Sequence, residues 1–89
     1  MKLTRENIRS NEEIKGLYCD TLNYEIDLDT LLDDINEEFT LFEETEKDFD
    51  VYDFTRYFVD IYSEYLELTD DTVFELSMFL LINYETLTR

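Results

Sequence analysis

Residues 51–67 read VYDFTRYFVDIYSEYLE. Phe54, Phe58, Ile61, Tyr62 and Tyr65 recur at intervals of three and four, the spacing that puts them on one face of an α-helix, so a helix from about Val51 to Glu67 is predicted. On the opposite face Asp53, Asp60, Glu64 and Glu67 follow at steps of seven, four and three. At 3.6 residues per turn these steps gather all four within roughly 60° of arc, as one acidic stripe about 21 Å long.

The segments on either side read as helices of the same kind. Upstream, Asp27 has the side chain to cap a helix in which Leu28, Leu31, Leu32, Ile35, Phe39 and Phe42 form an apolar stripe, with Asp29, Asp33, Asp34, Glu37 and Glu38 on its other side. Thr40 with Glu43 repeats a capping-box spacing, so Leu41 to Phe49 reads as a separate short helix or an irregular acidic connection. Downstream, Thr72 with Glu75 marks a last helix, and Thr69 or Asp70 offers a cap one turn earlier. That helix is apolar nearly all round. Val73, Phe74, Leu76, Met78, Phe79, Leu80, Leu81, Ile82 and Tyr84 leave a thin polar edge at Glu75, Ser77 and Asn83, so the helix is expected to be central or to line an interface between two copies.

The first third of the chain is less uniform. Ser10 with Glu13 is a capping box, and Ile14, Leu17, Tyr18, Thr21 and Leu22 follow at helical spacing. Residues 22–27 alternate strictly between apolar and polar, the period of a half-buried strand, and both readings stay open there. Residues 1–9 are expected as a loose N-terminal segment. With no Pro and one Gly in 89 residues, the chain lacks the turn residues that many-stranded folds require. The expectation is a mainly α single domain over residues 1–89. It would be a small acidic bundle of three to four helices, with α+β as the alternative if 22–27 is a strand. A hydrophobic fraction of 44% with 16% aromatics is far above that of a disordered acidic tail.

The residue inventory excludes much chemistry. One Cys and no His cannot build an internal disulfide, a zinc finger, a Cys-His nucleophile or a Ser-His-Asp triad. Cys19 reads as a small core residue. Two Asp-x-Asp runs invite a calcium reading, but Leu31 and Leu32 fill the fifth and sixth loop positions after Asp27, and Tyr52 and Asp53 fill them after Asp48, where an oxygen ligand and Gly are needed. No catalysis, metal or cofactor is expected. No secretory h-region follows the N-terminus, and the longest apolar run, Met78 to Ile82, is far short of the roughly 18 residues of a membrane span. The expected location is the cytoplasm of a bacterial host cell, away from membranes.

What remains is electrostatic. The formal net charge is −17, and 20 of the 24 acidic residues fall between Asp20 and Glu75, against Lys47 and Arg56. A solubility charge of about 2 to 8 in magnitude suffices for a small domain, and excess like charge costs stability. A duplex carries one negative charge per roughly 1.7 Å of axis and would repel this chain, so direct nucleic-acid binding is disfavoured. A protein groove built for phosphates would instead attract it.

In size, acidity and aromatic-rich core the chain resembles the DNA-mimic inhibitors of phages and mobile elements, the anti-CRISPR and anti-restriction proteins among them. The resemblance is one of composition over the whole chain, without a shared motif. It implies a decoy that fills the basic nucleic-acid-binding groove of a nuclease, restriction enzyme or similar protein. The residues expected to meet such a partner are Asp29, Asp33, Asp34, Glu37, Glu38, Asp53, Tyr57, Asp60, Glu64 and Glu67, with Tyr57 stacking on a basic side chain or imitating a base. The alternative is an acidic protein-binding module, such as a toxin-neutralising immunity protein or a transcription-factor antagonist, with a hydrophobic anchor at the centre of its contact.

Overall fold

The computed structural model describes residues 1–9, 27–65 and 67–89. They form three helices, α1 (Leu28–Thr45), α2 (Val51–Tyr65) and α3 (Asp70–Thr88), with no strand among the described residues. The mainly α helical globule expected from the sequence is what the chain adopts. Its Cα radius of gyration of 12.3 Å is about what compact packing of this length requires. The Ser10 capping box, the helical spacing through Leu22, Cys19 and the alternation of residues 22–27 lie outside the described residues.

Each helix start has a chemical cause. The Asp27 carboxylate accepts from the Thr30 amide at 3.2 Å and caps α1. At the start of α2, Asp53 N–H donates to Asp50 Oδ1 at 3.0 Å and Asp50 N–H donates to Asp53 Oδ2 at 3.1 Å, a reciprocal box made from two aspartates. Thr69 caps α3 by accepting from the Thr72 amide at 3.1 Å. Thr72 and Glu75 therefore sit inside α3, both buried, rather than marking its start. Thr40 starts no helix either. The apolar period runs unbroken from Phe39 to Phe42, α1 continues to Thr45, and the Thr40 hydroxyl donates back to the Asn36 carbonyl at 3.0 Å. The other end of the stripe helix also differs from expectation: α2 stops at Tyr65, so Glu67 lies in the connection to α3.

The core is built from aromatic rings. Phe39, Phe42, Phe54 and Phe58 are buried between α1 and α2, with Phe39–Phe54 centroids 5.1 Å apart edge to face and Phe42–Phe54 at 5.6 Å. Phe49, from the connection, closes one end at 4.6 Å from Phe42, and α3 adds Leu76, Phe79, Leu80 and Leu87. Tyr65, expected on the apolar face of α2, lies 77% exposed at its last residue.

Residues 1–9 make contacts with α1 and α3. Leu3 is buried, and its amide donates to Asn36 Oδ1 at 2.7 Å while Asn36 Nδ2 donates to the Leu3 carbonyl at 3.0 Å. Asn83 treats Arg9 the same way, accepting from its amide at 2.6 Å and donating to its carbonyl at 3.2 Å. Two asparagine side chains thus satisfy backbone groups that the burial of Leu3 and the docking of Arg9 would otherwise leave unpaired. This inverts the polar edge read on α3: Asn83 and Glu75 face inward, at 1% and 3% exposure.

Candidate partner-binding surface

The acidic residues of α1 divide into two rows. At 100° per residue, Asp34 and Glu38 lie on the flank that meets α2, and two tyrosines of α2 tie them there. Tyr62 donates to Asp34 Oδ2 at 2.6 Å, and Tyr57 donates to Glu38 Oε2 at 2.8 Å. These bonds join the acidic flank of α1 to the stripe of α2, because Asp60 and Glu64 lie about one and two turns along from Tyr57 on the adjoining arc. Both side chains are exposed.

The second row, Asp29, Asp33 and Glu37, looks elsewhere. Asp29 pairs with Arg5 at 2.7 Å. A shallow hollow beside Leu3 brings Arg5 and Glu6 next to Asp29 and Asp33, and a second puts Lys2 beside Asp33 and Glu37. The docked N-terminal segment therefore lays two of the few basic residues over this row. The residues singled out in the sequence do not make one face.

Asp53 is exposed but already serves the helix start. Tyr57 is half-buried, its ring 4.7 Å from Phe42 and its hydroxyl committed to Glu38. That hydrogen bond, then burial, then the Glu38 charge hold its pKa above the usual 10.0. Tyr57 thus acts as a clamp between helices and does not stand free to stack on a partner. Glu67, past the end of α2, is exposed.

The negative surface extends instead toward the connection between α1 and α2. Tyr84 of α3 has its pKa raised by burial first, and then by the charges of Asp50, Glu43 and Asp53. Phe42, Glu46, Asp48, Phe49, Asp53 and Arg56 line another open hollow there. Glu43, Glu46, Asp48 and Asp50 were not singled out, although the acid run over 43–50 is plain in the sequence. Its reading as a break in the helix hid the fact that the chain turns it back onto α2.

Between described residues, intramolecular neutralisation is slight. Among the described residues the ion pairs within 4 Å reach only Asp29 and Glu85, the latter through Arg9 and Arg89. No group of three or more metal-ligating side chains gathers among these residues, and no described helix is long and apolar enough to cross a membrane. Compared with protein-family models, with curated proteins and with solved structures, the chain matches none of them.

Proposed function

We propose that this chain is a nucleic-acid mimic that occupies the basic nucleic-acid-binding groove of a defence nuclease or other DNA-binding protein and inhibits it. The observation that supports the reading best is the run of carboxylates without ion pairs from Asp34 and Glu38 across to Asp60 and Glu64, continued by Glu43 and Asp50 at the end of the bundle. The magnitude is of the right order. Helices α1 and α2 carry ten carboxylates and Arg56; with Asp29 matched by Arg5, and Asp33 and Glu37 set apart beneath the N-terminal segment, six net charges remain along the roughly 27 Å of α1, at most one per about 4.5 Å. A B-form duplex presents one per about 1.7 Å, and each of its strands one per about 3.4 Å. The surface is somewhat sparser in charge than one strand, which is the order of magnitude the decoy reading needs. Docking would release the anions bound to the groove, so affinity falls as salt rises, while steering keeps association fast.

One feature favours the protein-binding module as second reading. Tyr52 and Tyr65 are exposed on α2 at 65% and 77%, large enough to anchor a contact. The two readings separate on Asp60→Lys together with Glu64→Lys, a change of four charges on exposed positions. In capture from a bacterial lysate, the decoy reading expects a partner that excess duplex DNA releases and that the double variant fails to hold. A partner retained in excess DNA, or bound by the double variant with an unchanged salt slope, would sink it.

A further inference from the structure

We infer that the outward face of α3 is the contact surface for a second copy of this chain, two α3 helices packing antiparallel across a two-fold axis. The inference stands apart from the decoy reading. It begins with the inverted edge of α3: Thr72, Glu75, Asn83 and Thr86 are buried with Leu76, Leu80 and Leu87, while Phe74 is 59% exposed. At 100° per residue Phe74, Ser77, Met78 and Leu81 share a sector of about 100° on the side away from that core. Ser77, Met78 and Leu81 are half-buried beside the exposed ring.

Charge says what can cover this face. From Thr72 through Tyr84 the one ionisable carboxylate is Glu75, and it points inward. Three turns of helix therefore present no exposed charge on a chain of net charge −17. Two copies repel wherever carboxylates would meet carboxylates; across this face they would not.

The ends of the helix choose the orientation. Asp70 and Asp71 are exposed at the start of α3. At its end Glu85 holds Arg9 at 3.6 Å and Arg89 at 3.0 Å, so the side chains there sum to one positive charge. Parallel pairing would set aspartates against aspartates. Antiparallel pairing with the axis between Ser77 and Met78 sets Phe74 opposite Leu81 of the other copy, and Asp70 opposite Glu85 with its two guanidinium groups. The same patch serves both copies, as a two-fold contact requires. Asp60 and Glu64 lie on α2 and take no part.

Sedimentation equilibrium of the full chain tests this from about 1 to about 100 μM, where an interface of ordinary size associates. The wild type should form dimers and no larger species. Its dimer should tighten between about 0.1 and about 0.5 M NaCl, because screening relieves the repulsion between the two bodies. Phe74→Ser should weaken association about tenfold or more, and Asp70→Arg should weaken it as well, both with the thermal melt kept as a check on folding. The Asp60→Lys, Glu64→Lys variant should dimerise as well as the wild type, whatever becomes of its binding to other proteins. A wild type that stays monomeric throughout, a dimer that loosens with salt, or a dimer indifferent to both Phe74→Ser and Asp70→Arg would overturn the inference.

Discussion

Asn83 is the residue at which packing and sequence give opposite predictions. On a solvated edge, Asn83→Ala would stabilise the helix by about 0.6 kcal/mol, the gain in helix propensity from Asn to Ala. In the fold, Asn83 is 1% exposed and makes three hydrogen bonds, two to the backbone of Arg9 and one to the Phe79 carbonyl at 2.9 Å. At about 1 kcal/mol net for each bond, their loss less the propensity gain leaves about 2 kcal/mol of destabilisation. For a domain of this size, 1 kcal/mol moves Tm by about 4–8 °C, so Asn83→Ala should melt about 8–16 °C below the wild type. Circular dichroism at 222 nm followed through a thermal ramp reads this directly, and urea unfolding should show a lower midpoint. Asn36→Ala, which frees the backbone of Leu3, should lower Tm in the same direction but by less, since it removes two hydrogen bonds. A Tm for Asn83→Ala equal to or above that of the wild type would refute the docking of residues 1–9 against α3.

Two tyrosines predict an alkaline limit. Tyr57 and Tyr84 both have raised pKa values, so above pH 10 the unfolded chain gives up protons that the folded chain keeps. Their contribution is fully present below that pH and falls away as pH rises through the folded values. Melts between about pH 9 and about pH 11 should show Tm descending, and Tyr57→Phe should flatten the descent; an equally steep descent in the variant would show that Tyr57 contributes nothing to it. Ionic strength should act on the fold with a sign opposite to the one the decoy proposal expects for partner binding. Raising NaCl from about 0.05 to about 1 M shortens the screening length from over 10 Å to about 3 Å, so self-repulsion at −17 weakens and Tm should rise. A falling Tm would mean that the three observed ion pairs outweigh that repulsion.

The helices were legible because each rests on a local signal. Asp27 and Thr69 cap where their oxygens can reach free amides, and the three- and four-residue recurrence of Phe54, Phe58 and Tyr62 needs no partner to be recognised. The Asp50–Asp53 box was equally local but has aspartates where Ser or Thr with Glu was sought. The candidate surface was legible only as composition. That Asp34 and Glu38 turn toward α2, that Asp29 is matched by Arg5, and that Tyr57 is bound to Glu38 depend on contacts 19 to 28 residues apart along the chain.

The sequence alone determined that this chain is helical, aromatic in its core and strongly negative, because periodicity, caps and charge are properties of residues and their near neighbours. Only the tertiary structure decided which faces turn outward. Residues 1–9 dock across α1 and α3, and their backbone needs polar partners once water is removed. That need draws Asn36 and Asn83 inward, lays Lys2 and Arg5 over one acidic row, and leaves Phe74 on the outside of an uncharged helix face.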